Sequence, residues 1–267
     1  MNGQPQGVLE RIEVARAASK GAGAVLLQHV GRLTKIDFKG RVDLVTEADR
    51  AAEAYLVACI RQAFPLDRVL AEEGGASQWE GNDWQWILDP LDGTTNYVHG
   101  LAHYGVSVGL SFNGELVGGV IHVPPTGKTY WAARGSGAYH DDVPLKVSSR
   151  DALSQALLVT GFPYDRASTV SALLGPVERA LLSARGLRRM GAASLDFVAV
   201  ACGVFDGYWE SRLQPWDMAA GVVLVREAGG SVTAADGGPF TLAGGSVCCT
   251  NGLIHDALVD VVRGPCD

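Results

Sequence analysis

The chain has 267 residues, of which 47% are hydrophobic and 19% charged. That balance is too apolar for a disordered polymer and suits one large domain or two fused halves. Lys plus Arg number 22 and Asp plus Glu 29, a formal net charge of −7. Such acidity argues against a broad electrostatic grip on nucleic acid or anionic lipid, while leaving room for a small basic pocket that takes a phosphate ester.

Met1 to Gly7 is polar and lacks the basic start and apolar run of a signal peptide. No apolar run approaches the roughly 20 residues that span a bilayer. The five cysteines (Cys59, Cys202, Cys248, Cys249, Cys266) are odd in number and show no CxxC spacing. A disulfide framework or zinc site is therefore not expected, Cys248 and Cys249 read as packed strand residues, and the expected compartment is the cytoplasm.

Apolar residues near helical spacing predict a helix or helix pair over 8–30, followed by a polar stretch over 34–41. A second helix is predicted over 51–64, stopped by Pro65. The runs 69–71 and 84–88 read as short buried strands, each leading directly into acidic residues. Strands over 106–112 and 115–123 flank Asn113-Gly114, a strong hairpin signal. The run 128–133 and the turn-rich 134–142 extend this antiparallel middle. Beyond about Ser149 strands and helices alternate: strand 157–160, helix 169–184, helix 193–201, strand 205–209, helix 216–228, strands 231–234 and 247–250, and helix 253–262. An α/β chain of one compact unit is expected, with halves at 1–149 and 150–267 and no flexible linker between them.

The residues that carry chemistry are carboxylates where elements end. In Asp89-Pro90-Leu91-Asp92-Gly93-Thr94-Thr95-Asn96, Pro90 stiffens the chain between two acids and Gly93 permits a tight turn. Asp89, Asp92 and the Leu91 carbonyl can face one space, an oxygen set that suits Mg²⁺; the bland alternative is a β-turn with solvated acids. Glu72-Glu73 before Gly74-Gly75 is either a solvated loop or the completion of that set. Asp49, in Thr46-Glu47-Ala48-Asp49, is either the acidic half of a capping box or the acceptor for a hydroxyl that orients a water. Asp217, in Pro215-Trp216-Asp217-Met218, suits a helix first turn and equally a metal ligand from the second half. Gly191-Ala192-Ala193-Ser194 opens another helix, whose N–H groups either face an anion or merely permit close packing.

In this order, Glu72-Glu73, the run Asp89 to Asn96, and Pro215-Trp216-Asp217-Met218-Ala219-Ala220-Gly221 resemble the inositol monophosphatase family, most of all its bacterial members. The likeness extends through Val42 to Asp49, Arg134-Gly135-Ser136-Gly137-Ala138 and Glu227-Ala228-Gly229-Gly230, over roughly residues 8–262. It implies a layered α/β/α/β/α sandwich and a Mg²⁺-dependent, lithium-sensitive, usually dimeric phosphatase. Glu72, Asp89 and the Leu91 carbonyl would hold a first Mg²⁺; Asp89, Asp92 and Asp217 a second; and Glu72 would help place a weaker third. Thr94 paired with Asp49, together with Glu72, would orient the attacking water, and the Gly93 and Thr94 amides would hold phosphate oxygens. Glu210, Gly191, Ala192 and Ala193 would contact the polyol ring, and Lys39 would lie in a loop near the metals.

Two departures stand out. Gly191-Ala192-Ala193 replaces the family's Gly-Ser/Thr-Ala, removing one hydroxyl contact, and Gln214-Pro215 stands where basic-Pro is common. The substrate implied is myo-inositol 1-phosphate. The alternatives are a broad sugar-phosphate range, fructose 1,6-bisphosphate, histidinol phosphate or 3′-phosphoadenosine nucleotides. Asp92-Gly93-Thr94-Thr95-Asn96, in place of the D-G-T-K-E of nucleotide-directed relatives, favours the first. An alternative of another class is a regulatory binding protein in a transcription or RNA assembly. No direct nucleic-acid contact and no membrane contact are expected.

Overall fold

The computed structural model describes residues 5–32, 36–38, 44–76, 83–163 and 169–264. Lys39 lies outside the described residues. The helices are α1 (Val8–His29), α2 (Glu47–Ala63), α3 (Thr94–Val98), α4 (Val170–Ser183), α5 (Ala193–Ala201), α6 (Pro215–Glu227) and α7 (His255–Arg263). A short antiparallel pair, β1 (Ile36–Phe38) and β2 (Leu44–Thr46), precedes α2. The first large sheet comprises β3 (Arg68–Ala71), β4 (Gly75–Ala76), β5 (Trp84–Asp92), β6 (Gly105–Phe112), β7 (Glu115–Val123), β8 (Lys128–Ala133), β9 (Gly137–His140) and β10 (Val143–Pro144). Its order is β10-β9-β8-β7-β6-β5-β3-β4. The second comprises β11 (Leu157–Thr160), β12 (Gly186–Arg188), β13 (Gly207–Ser211), β14 (Ser231–Thr233) and β15 (Ser246–Thr250), ordered β12-β11-β13-β15-β14.

The layers alternate as α/β/α/β/α, because each sheet buries apolar side chains on both faces and needs a helical cover on each. Helices α1 and α2 cover the outer face of the first sheet, α5 and α6 lie between the sheets, and α4 and α7 close the outer face of the second. One core gathers Ile12, Leu56, Trp86 and Val108 under α1 and α2; another gathers Phe197, Tyr208, Val222 and Cys249 in the middle layer. Helix α6 lies almost on the backbone of the first sheet. A Cβ on Gly109 would stand 2.4 Å from the Ala219 Cβ, and one on Gly119 2.5 Å from the Ala220 Cα. Those two glycines set the depth at which α6 packs.

Several boundaries differ from expectation for identifiable reasons. Helix α2 begins at Glu47, four residues before the predicted start, because the Thr46 side chain accepts from the Ala48 and Asp49 amides and caps it there. Strand β5 runs on through Pro90 to Asp92, with a register irregularity against β6 between Asp89 and Asp92, so this acidic segment is a strand end and not a solvated turn. The strand expected over 205–209 lies at 207–211; Phe205 and Asp206 form the preceding turn, where Asp206 accepts from the Leu157 amide and Arg150. The Asn113-Gly114 hairpin forms as predicted, both residues having positive φ (52° and 79°). Strands β1, β2, β4, β12 and helix α3 carried too little periodicity to be anticipated.

Candidate active site

Parallel pairing of β3 with β5 sets Ala71 opposite Leu88, and the Glu72 amide donates to the Leu88 carbonyl at 3.2 Å. Glu72 therefore leaves its strand beside Asp89. Gly93 then turns the chain with φ 90° into the short helix α3, with Ala192 and the His103 carbonyl 3.1 Å from where its Cβ would stand. Only glycine suits that turn. Across the middle layer, α6 opens with Pro215 and places Asp217 in its first turn, where one oxygen accepts from the Gln214 amide at 2.7 Å. The N-terminus of α6 and the end of β5 thus face one cleft of about 360 Å³, lined by Glu72, Asp92, Gly93, Glu210 and Asp217 among others.

The acids share one field. Burial pushes the Asp89 carboxyl well above the usual carboxylate range, and the charges of Glu72, Asp92 and Asp217 push it further. Burial likewise lifts Asp217 well above that range, with Asp92, Glu72 and Glu210 adding to the rise. Burial raises Asp92 too, against the hydrogen bonds it accepts from the start of α5. Each carboxylate is nonetheless held by its own donors, Asp89 by the Leu91 amide at 2.9 Å. Among the described residues no three acids are drawn tightly enough around one point to form a ready-made ligand set. The donor chemistry still fits a hard divalent cation: four oxygen acids from three elements, with Asp89 and Asp217 each raised by the charges of neighbouring acids, are what such an ion would neutralise.

Asp49 makes the contacts that both of its readings require. Its Oδ2 accepts from the Thr46 amide at 2.9 Å and closes the capping box, while its Oδ1 accepts from the Thr94 hydroxyl at 3.2 Å. Thr94 has one hydroxyl proton and a second acceptor, the Leu91 carbonyl at 3.0 Å. Burial raises the Asp49 carboxyl and the Thr46 hydrogen bonds oppose that rise.

Of the two readings of the α5 start, the amides do not serve the anion one. Ala193 and Ser194 donate them to Asp92, at 3.2 and 2.7 Å, so they hold a carboxylate of the protein and are not open to an anion. Gly191, Ala192 and Ala193 do line the cleft. Glu210 lies within β13, and its neighbour across the sheet is the end of β11, where Gly161 follows Thr160. A Cβ on Gly161 would stand 1.9 Å from the Glu210 carboxylate, so glycine there makes room for the acid. Tyr208 donates to Glu210 at 2.6 Å, yet burial outweighs this and pushes the Glu210 carboxyl up to about 7.

Ser194, Gly161, Asn96 and Arg189 escaped the sequence reading as individual contributors. Asn96 donates to the His103 and Met190 carbonyls at 2.8 and 3.0 Å, tying the Asp92 turn to the segment before α5. Its place inside the acidic motif was the one available signal; for Ser194 and Gly161, partners more than 45 residues distant supply the role.

A family model described as the inositol monophosphatase family matches residues 8–264. The inositol-1-monophosphatase of Rhizobium meliloti (strain 1021) is 42% identical over 246 residues, 91% of this chain and 92% of the relative. The Nus factor SuhB of Pseudomonas aeruginosa is 39% identical over 258 residues, 94% of this chain and 95% of the relative. The structure of inositol monophosphatase from Anabaena (Nostoc) sp. PCC 7120 superposes with a TM-score of 0.88 at 41% identity, covering 96% of each chain.

Proposed function

Because the chain belongs to the inositol monophosphatase family and is a phosphatase, we propose that it hydrolyses myo-inositol 1-phosphate with two to three Mg²⁺ ions. The observation that carries this reading is the meeting of Glu72, Asp92 and Asp217 in one cleft, with the Thr94–Asp49 hydrogen bond made just past Gly93, where β5 turns into α3. Glu72, Asp89, Asp92, Asp217 and the Leu91 carbonyl are the residues that would hold the ions. When bound, the ions would neutralise the phosphate dianion and the leaving oxygen and lower the pKa of a water. Thr94, donating to Asp49, keeps a lone pair turned to accept from the attacking water and so aligns it with phosphorus. Glu72, in the same cleft, would take the proton from that water. The Gly93 and Thr94 amides, at the turn into α3, would bind phosphate oxygens. Glu210 accepts from ring hydroxyls, with Gly191, Ala192 and Ala193 forming the wall beneath the ring. Without a hydroxyl at Ala192 that wall is less polar, which fits a range of polyol and sugar phosphates around the inositol ester.

A cytoplasmic homodimer of two-half protomers, inhibited by lithium, completes the proposal; among the described residues no helix is long and apolar enough to cross a membrane. The test is phosphate release, with and without Mg²⁺, from inositol 1-phosphate, fructose 1,6-bisphosphate, histidinol phosphate and 3′-phosphoadenosine 5′-phosphate. A Mg²⁺-dependent preference for the first supports the reading. Preference for another moves the substrate and keeps the chemistry, and no release from any of them overturns it. The second reading, a binding protein in a transcription or RNA assembly, is favoured by the relative named a Nus factor. Pull-down with the purified protein tests it independently of catalysis.

A further inference from the structure

Helix α2 carries two buried acids one turn apart, Asp49 and Glu53. Residues at that spacing share a face of a helix, and both acids reach the strand ends from which the site is built. Asp49 accepts from the Thr94 hydroxyl at 3.2 Å, just past β5. Glu53 reaches the end of β3 instead, where its Oε2 accepts from the Glu73 amide at 2.8 Å. The chemistry described above uses Asp49 and gives Glu53 no role, although burying a carboxylate is costly unless its donors are in place.

Glu72 and Glu73 lie in the turn between β3 and β4, whose register sets Ala71 opposite Gly75. Strand β4 is two residues long and stands at the edge of its sheet, so this pairing alone does little to fix the turn. Two successive amides pin it from both sides. Glu72 donates to the Leu88 carbonyl of β5 at 3.2 Å, and Glu73 donates to Glu53 of α2. Gly74 leaves room for the acid, since a Cβ there would stand 2.9 Å from the Glu53 Oε1. Thr94 and Glu72, which come from different strand ends, are thus both tied to one helix.

We propose that Glu53 is a positioning residue: by holding the Glu73 amide it fixes the direction in which Glu72 leaves the turn. With Asp49 it keeps Glu72 and Thr94 in register across the cleft. This rests on the phosphatase reading above and deepens it, because Glu72 is one of the acids that would hold the ions. Glu53 itself lines a separate groove along α2 and stands outside the cleft. Its effect passes through the Glu73 backbone, so an uncharged acceptor in the same place serves nearly as well as the acid.

The experiment measures Mg²⁺ binding by calorimetry, and kcat and KM for inositol 1-phosphate, in the wild type, Glu53→Gln, Glu53→Ala and Gly74→Ala. Glu53→Gln keeps an acceptor for the Glu73 amide and should stay within about twofold of the wild type in every quantity. Glu53→Ala should weaken Mg²⁺ binding about tenfold and lower kcat at saturating Mg²⁺ by a similar factor, with KM nearly constant. Gly74→Ala pushes the end of the Glu53 side chain aside while leaving α2 intact, and should reproduce Glu53→Ala. Wild-type Mg²⁺ binding and kcat in Glu53→Ala overturn the proposal, as does a loss in Glu53→Gln equal to that in Glu53→Ala. If Glu53→Ala fails to fold, Gly74→Ala decides by the same criterion. A wild type that binds no Mg²⁺ sinks the metal reading and this proposal with it. A wild type that binds Mg²⁺ but releases no phosphate sinks the phosphatase reading alone, and calorimetry of the four proteins still decides the role of Glu53.

Discussion

Asp92 and Ser194, 102 residues apart in sequence, are joined twice: the Asp92 Oδ2 accepts both the Ser194 amide at 2.7 Å and its hydroxyl at 2.5 Å. An acid on the last residue of a strand in the first sheet is thus locked to the first turn of a middle-layer helix. Ser194→Ala keeps the amide and removes the hydroxyl. A hydrogen bond to a charged group contributes about 1.5–3 kcal/mol. The variant should fold, lose roughly tenfold in kcat, and need more Mg²⁺ for half-maximal rate. A Mg²⁺ titration of activity checks this, and an unchanged midpoint would remove Ser194 from the positioning of Asp92.

Thr94 and Asp49 can be separated by what each variant leaves behind. Thr94→Val removes the hydroxyl at constant shape, and kcat is expected to fall on the order of a hundredfold with Tm nearly constant. Asp49→Ala loses the same contact and also the reciprocal half of the α2 capping box, so it should lower stability by a further 0.5–2 kcal/mol or so. Paired kinetics and thermal melts read the two effects apart. Wild-type kcat in Thr94→Val would end its assignment to water alignment.

Glu210 has its carboxyl pushed up to about 7 by burial, so it changes charge near neutrality. Above that pH it is an acceptor for two ring hydroxyls; below it, a protonated acid offers one acceptor fewer. KM for inositol 1-phosphate should therefore fall as pH rises through about 7, while KM for glycerol 2-phosphate changes less. Glu210→Gln should flatten the dependence and weaken the ring substrate about tenfold. Gly161→Ala should do the same by displacing the carboxylate. Equal losses on both substrates in Glu210→Gln would remove Glu210 from ring recognition.

Stability should depend on pH and on Mg²⁺ together. Asp89, Asp92, Asp217 and Glu210 all have carboxyls raised above their ordinary values. In the unfolded chain these groups ionise near pH 4, so at lower pH both states are protonated and the groups carry no penalty. As pH climbs toward and past 7, ionising them in the cleft opposes folding. The Tm of the protein in chelator should fall between about pH 5 and 8. Saturating Mg²⁺ should raise Tm by about 5 °C at pH 8 and by much less at pH 5. An equal shift at both pH values would count against these acids as the ion-binding set.

The sequence disclosed Asp89 and Asp92 because Pro90 and Gly93 punctuate the chain beside them, α6 because Pro215 opens it and Gly229-Gly230 closes it, and the β6–β7 hairpin because of Asn113-Gly114. It could not disclose that Asp89 and Asp92 belong to a strand, since Pro90 normally argues against one; the register irregularity against β6 is what admits it. Nor could it show that the α5 amides are already taken, because Asp92 reaches them across 101 residues. Arg189 follows the three-residue strand β12, too short to have any period, and its place in the cleft is set by folding alone.

Gly109 and Gly119 hold α6 against the first sheet at backbone contact, and that intimacy divides the molecule's freedom to change. A methyl group at either glycine would lift the helix and carry Asp217 away from Asp89 and Asp92, so drift at these positions is closed to descendants that still need the reaction. Arg189, exposed at the lip of the cleft, stands apart from that helix–sheet contact, so its exchange leaves the seat of α6 in place. New appetites for phosphorylated compounds would then arise in a lineage by altering the lip, one residue at a time, while the chemistry underneath is inherited whole.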